Sequence, residues 1–483
     1  MYYLLNKERV VAEFEIKKDP FGDEYKLNIL DKELLPIGFQ DIQSWIDNRK
    51  GSKHNQHLRK IMAMCNCENT EGFIKVTHSA SINDTFWIKS DRENISWNDV
   101  SLYRNEFDET ISKLAFEGIG LYGVEFSSTV PELSTEGSFR KCWRREDNGI
   151  FLYKRGQDGA FNVGLEPYCE VMASEIALKF CKTSVDYTMV RLYGERATKC
   201  RLFTNESEGY VPVAKYDVQR NIRELLNFFA EMGSEDDFRR MLILDGMIFN
   251  VDRHAGNYGV LIDNDTLKPL KMAPVFDFNL AMLPYVISEE FDDIGSKLLE
   301  YAPRIGEDFT RTAQLLLTPD IRSDLIALKG FEFSFRGDDM FTGARVKKME
   351  EIINRQIEGI LNKGALYTRN VFVPNEIKET IEFIKETDNY VRQEEIANRI
   401  QKRVSDIEGV EDVYLEEDEC ADIIVHIVLK SCPRIELLLH IGIVESLDIE
   451  RDGIGIPYSV CENEYSDILP VYIRVTKVID EEI

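Results

Sequence analysis

Residues 241 to 283 read MLILDGMIFNVDRHAGNYGVLIDNDTLKPLKMAPVFDFNLAML, and the rest of the chain is best interpreted outward from them. The stretch begins with apolar residues at helical spacing and then breaks into the polar loop N-V-D-R-H-A-G-N. Two apolar runs separated by the turn Asp263-Asn264-Asp265 follow, which predicts a hairpin ending in V-F-D-F-N. Because polar loops at the ends of buried elements commonly carry reactive residues, we expect a functional site here.

Three oxygen-bearing side chains in this stretch have a chemistry in common. Asp252 can accept a proton or orient a hydroxyl. Asn257 lies five residues later and offers an amide oxygen, and Asp277, twenty residues further, offers a carboxylate. Mg²⁺ takes one or two such ligands and completes its octahedron with water and phosphate oxygens. The residues therefore favour phosphoryl transfer, although a helix–loop–hairpin with solvated carboxylates would show the same spacing.

The spacing resembles that of protein kinases, in which H-R-D-x-x-x-x-N precedes D-F-G. Here Asn250-Val251 stands in place of His-Arg, and Asn279 stands in place of the glycine. The form D-R-H-x-x-N is similar to that of HipA-like serine/threonine kinases and of phosphoinositide lipid kinases. The resemblance implies a catalytic loop in which Asn250 and His254 accompany the base Asp252. It also implies ATP and Mg²⁺ as cofactors and a protein hydroxyl as the acceptor.

The segment S-T-E-G-S-F-R-K at residues 134–141 resembles the HipA phosphate loop, S-x-x-G-x-x-x-K. Ser134, Gly137 and Lys141 fall on that pattern, with Ser138 in the same loop, and such a loop can cover nucleotide phosphates with backbone N–H groups. The resemblance implies that Ser134 is autophosphorylated, with Ser138 as the second choice. A phosphate there adds about −1.5 to −2 charges and would repel the nucleotide. A plain polar turn is the alternative interpretation.

Lys154 ends an apolar alternation and is the candidate to hold the α- and β-phosphates, unless it is an ordinary solvated strand lysine. The helix predicted after it has Pro167 near its start. A glutamate on this helix should pair with Lys154. Glu170 matches the start of the corresponding HipA helix, and Glu175 is its competitor.

The segment Tyr210 to Tyr216 is predicted to be the last strand of the N-terminal lobe and the hinge that follows it. Adenine normally forms hydrogen bonds with the hinge backbone in this class of enzyme. Ala214, Lys215 and Tyr216 are therefore predicted, by position alone, to contact the base.

The predicted fold class is α+β, with a bilobal protein-kinase-like core made of a β-rich N-lobe and a helical C-lobe. The expected divisions are an α/β accessory region at 1–125, the N-lobe at 126–216, the C-lobe at 217–372 and an acidic α+β module at 376–483. From Glu376 onward, 27 Asp and Glu residues face 11 Lys and Arg residues, a net charge of −16 in 108 residues. This shift in charge motivates the last boundary.

Composition narrows the class of protein. The chain is 43% hydrophobic and 30% charged, and no apolar run approaches eighteen residues, so we expect no membrane span. Nine scattered cysteines without a C-x-x-C pair, and an N-terminus unlike a signal peptide, favour a cytoplasmic protein with reduced thiols. The net charge of −27 argues against general nucleic-acid binding.

Four alternative interpretations remain open at this stage. His54, His57, Cys65 and Cys67 could hold zinc, although their spacing is unusual for a zinc site. The protein could be a lipid or small-molecule kinase, because D-R-H-x-x-N is shared with lipid kinases. It could be a nucleotide-binding pseudokinase that acts through its C-terminal module. It could also be a toxin with an antitoxin or other regulatory partner, as HipA is.

Overall fold

The computed structural model describes residues 1–18, 23–51, 61–63, 67, 69–117, 129–135, 139–157, 164–298, 301–306, 308–361, 401, 410–417, 423–429, 458–462 and 471–475. The chain divides into two compact units, Met1–Leu361 and Asn362–Ile483. The boundary predicted at residues 373–375 lies outside the described residues.

The N-terminal region is built on a four-stranded sheet with the order β3-β2-β1-β4. Its elements are β1 Tyr2–Asn6, β2 Arg9–Lys17, β3 Glu24–Ile29, α1 Ile42–Asp47, α2 Thr70–Thr77, β4 Phe86–Ser90, α3 Trp97–Val100 and α4 Glu109–Glu117. All its strand pairs are antiparallel, and a tight two-residue turn connects β1 to β2. The region predicted to be α/β is thus a mixture of helices and an antiparallel sheet.

A second antiparallel sheet, with the order β5-β6-β8-β7, carries one long helix. Its elements are β5 Lys141–Glu146, β6 Gly149–Arg155, α5 Glu166–Phe180, β7 Tyr187–Leu192 and β8 Glu195–Arg201. Pro167 lies in the first turn of α5, as predicted. The Ser174 hydroxyl donates to the Val185 carbonyl at 3.0 Å and accepts from the Tyr187 amide at 3.0 Å. These bonds fix the helix against the strand that enters the sheet.

A third sheet, with the order β11-β10-β9, contains the predicted hairpin. The hairpin strands are β10 Gly259–Asp263 and β11 Pro269–Met272, and β9 Glu208–Pro212 pairs with β10. Tyr210, predicted to begin the last strand of the N-terminal lobe, thus lies in a strand that pairs with the hairpin. Alternation along a strand indicates which side chains are buried, but it does not specify the neighbouring strand.

Helices make up most of the remaining part of the first unit. They are α6 Ile222–Ala230, α7 Glu235–Ile248, α8 Ile294–Leu298, α9 Phe309–Leu315, α10 Pro319–Ala327 and α11 Gly343–Leu361. Helix α7 is almost wholly buried, and it ends where Phe249 adopts a left-handed conformation with φ of 52°. That reversal begins the polar loop of the opening stretch.

The second unit contains an antiparallel sheet with the order β12-β13-β15-β14. Its strands are β12 Val410–Glu417, β13 Ile423–Leu429, β14 Tyr458–Glu462 and β15 Val471–Val475. Strands were predicted at 410–415, 422–430 and 470–479, and the structure confirms them. The helices predicted at 376–387 and 391–404, and the strand at 435–443, fall almost entirely outside the described residues.

Candidate active site

The centre of the site is an ion-pair cluster around Lys154. Its Nζ lies 2.7 Å from Glu170 Oε1 and 2.6 Å from Asp277 Oδ1. Lys154 is on β6 and Glu170 on α5, and both side chains are buried. The competing glutamate, Glu175, accepts instead from the backbone amide of Ser334 at 3.0 Å. The structure thus joins one predicted lysine to one glutamate and to the aspartate that follows the hairpin.

Electrostatic effects in this cluster oppose one another. Burial alone would lower the pKa of Lys154, but Asp277 and Glu170 raise it above its ordinary value. Burial raises the pKa of Glu170 in spite of Lys154. Burial would also raise the pKa of Asp277, but the charges of Lys154, Lys141 and Arg253 bring it below its ordinary value. Asp277 is therefore held as a carboxylate beside an ammonium group.

Two residues that the sequence did not single out position the cluster. The Thr198 hydroxyl donates to Glu170 Oε2 at 2.6 Å, and the Tyr187 hydroxyl accepts from the Asp277 amide at 3.2 Å. Asp277 itself has a φ of 61°, in the left-handed region that non-glycine residues rarely adopt. Backbone strain of this kind is found preferentially at functional sites, where neighbouring contacts maintain it.

The loop after α7 is organised by a buried ion pair between Arg253 and Asp245. Arg253 Nε and Nη2 each lie 2.9 Å from a carboxylate oxygen of Asp245, and both side chains are almost fully buried. Asn250 Nδ2 donates to Asp245 at 2.9 Å, and Asn250 Oδ1 accepts from the Asp252 amide at 3.1 Å. Asn250 and Arg253 therefore fix the backbone on either side of Asp252.

Arg253 also connects the two predicted metal ligands. Its Nη1 donates to the Asn257 carbonyl at 2.9 Å and to the Phe276 carbonyl at 2.6 Å. One guanidinium nitrogen thus holds the backbone of Asn257 and that of the residue before Asp277. The two positions, nineteen residues apart in sequence, are therefore held by the same side chain.

Asp252 is partly exposed. Burial raises the pKa of Asp252, and the negative charge of Asp277 adds to the shift, while His254 and Arg304 oppose it. Arg304 Nη2 lies 4.0 Å from Asp252 Oδ1. His254 is exposed, and its Nδ1 accepts from the Gly256 amide at 3.0 Å. His254 thus lies in the loop beside Asp252 without joining the buried network.

Asn257 and Asp277 fit the oxygen donors that Mg²⁺ prefers. Asn257 Nδ2 donates to the Asp252 carbonyl at 3.0 Å, which leaves Oδ1 as the atom suited to a metal. Asn279 adds a buried amide oxygen that has no hydrogen-bond partner among the described residues. An amide oxygen and a carboxylate, the latter paired with Lys154, suit a hard cation that is bound together with phosphate.

The predicted phosphate loop, residues 134–141, lies partly within the described residues. Ser134 ends a short 3-10 helix, Pro131–Ser134, where it is buried and its hydroxyl donates to the Pro131 carbonyl at 3.2 Å. Gly137 and Ser138 lie outside the described residues. Lys141 begins β5 directly opposite Lys154 on β6, and its charge acts on Asp277. The end of this loop is therefore beside the cluster.

Glu132, in the same 3-10 helix, anchors the segment that leads into the loop. Its Oε1 accepts from the Ser112 hydroxyl at 2.8 Å and from the Trp143 amide at 2.9 Å. Oε2 is buried and has no hydrogen-bond partner within the described part of the chain. Burial raises the pKa of Glu132 to about 7 in spite of the two bonds.

Glu132→Gln is expected to remove part of the pH dependence of stability. Because the folded chain raises the pKa, it binds this proton more tightly than the unfolded chain does. The resulting stabilisation is complete below the unfolded pKa and is lost as the pH rises through about 7. Relative to the variant, the wild-type protein should lose on the order of 3 kcal/mol of unfolding free energy between about pH 4 and pH 8. Urea unfolding of both proteins across this range measures the difference, and parallel curves would contradict the assignment.

Ala214, Lys215 and Tyr216, the residues predicted to contact adenine, use part of their backbone hydrogen-bonding capacity within the protein. The segment Val213–Lys215 forms a 3-10 turn, in which the Ala214 amide donates to the Ala255 carbonyl at 3.0 Å. The Tyr216 amide donates to the Val213 carbonyl at 3.0 Å. A Cβ built on Gly38 would lie 2.5 Å from the Lys215 carbonyl oxygen, so this turn packs closely against the N-terminal region. Two of the expected donors are thus already used within the protein.

Of the four possible zinc ligands, one lies within the described residues. His54, His57 and Cys65 lie outside the described residues, and Cys67 is buried. Within the described ranges, no group of three or more His, Cys, Asp and Glu side chains could hold a metal ion. None of the described helices is long and apolar enough to cross a membrane.

The solved structures that this chain resembles include the following two. The Helicobacter pylori proinflammatory kinase CtkA matches with 14% sequence identity and a TM-score of 0.36, over 47% of this chain and 91% of that chain. A chain of the Shewanella oneidensis MR-1 toxin–antitoxin complex of HipA, HipB and operator DNA matches with 10% identity and a TM-score of 0.45, over 74% of this chain and 97% of that chain. No protein-family model and no curated protein matches the sequence.

Proposed function

We propose that this protein is an ATP-dependent phosphotransferase, and specifically a serine/threonine protein kinase of HipA-like type. The observation that carries the proposal is the convergence of Lys154, Glu170 and Asp277, together with the Arg253 bridge from Asn257 to the residue before Asp277. Phosphoryl transfer needs a lysine for the phosphates, oxygen ligands for a metal and a base for the acceptor. Lys154, the side-chain oxygens of Asn257 and Asp277, and the Asp252 carboxylate are the groups of the first unit that suit these three requirements.

In the proposed reaction, the chain acts mainly by positioning and charge stabilisation. Lys154 and Lys141 supply positive charge to the phosphates of ATP. Asp252 orients the acceptor hydroxyl and takes its proton as the oxygen–phosphorus bond forms and the bond to ADP breaks. Asn250 and Arg253 keep the Asp252 backbone fixed through the step.

Asn257 and Asp277 would hold Mg²⁺, which, when bound, neutralises charge developing on the phosphates. Lys154 is paired with Asp277 Oδ1, so Asp277 would have to loosen this ion pair in order to hold a metal. Glu170 would keep Lys154 in place during this exchange, because their pair is the more deeply buried one.

The self-limiting modification of Ser134 stays a prediction that rests on the resemblance of residues 134–141 to HipA. Ser134 is buried in its 3-10 helix, so the residue would have to leave this helix to accept a phosphate. Peptide mapping after long incubation with ATP tests it. A phosphate on Ser134 that accumulates as activity declines would support the prediction, and an unmodified segment in an active enzyme would refute it.

The test of the proposed function is incubation of the full chain with γ-labelled ATP and Mg²⁺, with and without cell lysate, followed by mass spectrometry. Label on serine or threonine of a protein supports a protein kinase. Label on lipid or on a small molecule would identify the alternative acceptor classes instead. ATP binding without transfer to any acceptor would favour a pseudokinase. An antitoxin partner also stays a prediction, and copurification from the native host tests it.

A further inference from the structure

A segment of the helical part of the first unit crosses the outer side of helix α5. We call it the strap and define it as residues 331–341, between α10 and α11. Its start is fixed to α11, because Asn354 Oδ1 accepts from the Phe331 amide at 2.9 Å and Glu350 accepts from the Phe333 amide at 2.9 Å. Gly337 adopts a φ of 101°, and a Cβ there would collide with the backbone nitrogen of Gly343. The strap is therefore hydrogen-bonded to α11 at its start, and at Gly337 it packs against Gly343, the first residue of α11.

The first half of the strap binds Glu175 of α5. Both carboxylate oxygens accept from the Ser334 amide, at 3.1 and 3.0 Å, and Oε2 also accepts from the Ser334 hydroxyl at 2.9 Å. Lys179, one turn along α5, places its ammonium 4.5 Å from the centre of the Phe331 ring. The carboxylate that the sequence offered as a second partner for Lys154 is thus used for docking the strap.

The second half of the strap surrounds Tyr168, near the start of α5. The Tyr168 ring centre lies 5.6 Å from that of Phe335 and 5.5 Å from that of Phe341. Its hydroxyl donates to Asp338 at 2.5 Å, and Asp338 also lies 3.3 Å from Arg196 on β8. Tyr168 is buried although it lies on the outer side of the helix.

The strap and Lys154 contact different faces of α5. Tyr168 and Glu175 are seven residues apart, close to two full turns, and so lie on one face. Glu170 is two residues after Tyr168, which turns it by roughly 200° to the far side of the helix. The strap thus holds the helix from outside while Glu170 reaches Lys154 on the inside.

We infer that the strap is a positioning device for the Lys154–Glu170 pair, and that Tyr168, Glu175 and Ser334 are positioning residues for phosphoryl transfer. The inference rests on the proposed function. If α5 turned or moved outward, Glu170 would leave Lys154, which would then be held by Asp277 alone. A small displacement of a positioned group is enough to slow a reaction substantially. Ser334, which is exposed and opposite a carboxylate, is the point at which a negative charge would loosen the strap.

The test compares Ser334→Asp with the double variant Ser334→Asp/Glu175→Gln in the full chain. The new carboxylate repels Glu175, and we expect kcat to fall about five-fold while the melting temperature stays near that of the wild type. The loss should shrink at high salt, because salt screens exposed charges. The glutamine removes the repulsion and its oxygen can still accept from the Ser334 amide, so kcat should recover in the double variant. Ser323→Asp adds the same charge on the exposed side of α10 and is the matched control.

Hydrogen exchange of residues 166–180 provides a readout that needs no catalysis. Exchange in α5 should rise in Ser334→Asp and return to the wild-type level in the double variant. Unchanged exchange and unchanged kcat in Ser334→Asp would overturn the inference, as would a loss of activity that Glu175→Gln does not restore. If the wild-type protein transfers no phosphate, the proposed function fails, but the exchange comparison still shows whether the strap controls α5.

Discussion

Asp252→Asn is expected to lower the rate of phosphoryl transfer by about 10²-fold or more without unfolding the protein. The amide cannot take the proton of the acceptor hydroxyl. The structure of the loop should persist, because it depends on the main chain of Asp252 rather than on its carboxylate. The Asp252 amide donates to Asn250, and its carbonyl accepts from the His254 amide and from Asn257. Initial rates with γ-labelled ATP and thermal unfolding, measured on the same preparation, test both halves of the prediction.

The pH profile adds a second signature of the base. Because burial raises the pKa of Asp252, the wild-type rate should increase as the pH rises through that raised value, where the carboxylate becomes the main species. The residual rate of Asp252→Asn should not show this increase with pH. A wild-type-like rate, or the same increase with pH in the variant, would remove Asp252 from the role of base.

Asp277→Asn is the informative comparison, because it should lose transfer for a different reason. The variant removes a proposed metal ligand and the partner that lies 2.6 Å from Lys154 Nζ. ATP binding in the presence of Mg²⁺ should therefore weaken in Asp277→Asn and stay near the wild-type level in Asp252→Asn. Glu358→Gln, an exposed substitution of the same kind on α11, controls for the loss of a carboxylate. Equal ATP affinity in both active-site variants would contradict the proposed division of roles.

Much of this site could be predicted because its residues are local in sequence or follow simple alternation. Asp252 and Asn257 share one loop, and a hairpin returns the chain to Asp277, so their meeting requires only short connections. Lys154 was found at the end of an alternating run, which became β6. The sequence could not show whether Glu170 or Glu175 pairs with Lys154. Both lie on α5, and the choice depends on which face the sheet and the strap cover.

The pairing of the strand that contains Tyr210 could not be predicted for a related reason. Residues 210–212 do form the end of a strand, β9, but this strand pairs with β10 rather than β8. Which strands pair in a sheet depends on residues that are far apart in sequence. Asn83 of the N-terminal region accepts from the Tyr210 amide at 2.7 Å, a contact across more than a hundred residues that has no local signal. Tyr187 and Thr198 were missed because only the folded sheet brings them to Asp277 and Glu170.

The ion pair between Arg253 and Asp245, in contrast, is indicated by the sequence. Asp245 interrupts the apolar run of α7 at a buried position, and a buried carboxylate needs a partner. An arginine in the loop that follows is the natural candidate. Its importance to the site could be recognised once its third and fourth hydrogen bonds, to the Asn257 and Phe276 carbonyls, were known.

Arg253→Met is expected to have the largest effect on stability. The substitution leaves the Asp245 carboxylate buried without its cation and leaves two backbone carbonyls without a donor. Removing one partner of a buried ion pair typically costs roughly 3–5 kcal/mol, because the remaining charge is uncompensated. Denaturant unfolding of the variant should show a loss of this size, together with loss of phosphoryl transfer. A loss below about 1 kcal/mol would mean that water or another group already compensates Asp245.

The double variant Arg253→Met/Asp245→Asn separates stability from catalysis. The amide introduced in place of the Asp245 carboxylate carries no charge, and its oxygen can still accept from Asn250 Nδ2, so a large part of the lost unfolding free energy should return. Transfer activity should not return, because no group then joins the Asn257 backbone to that of Phe276. If activity recovered together with stability, Arg253 would serve only to neutralise Asp245. If stability recovers alone, the guanidinium is the link that holds the catalytic loop and the proposed metal ligands in one arrangement.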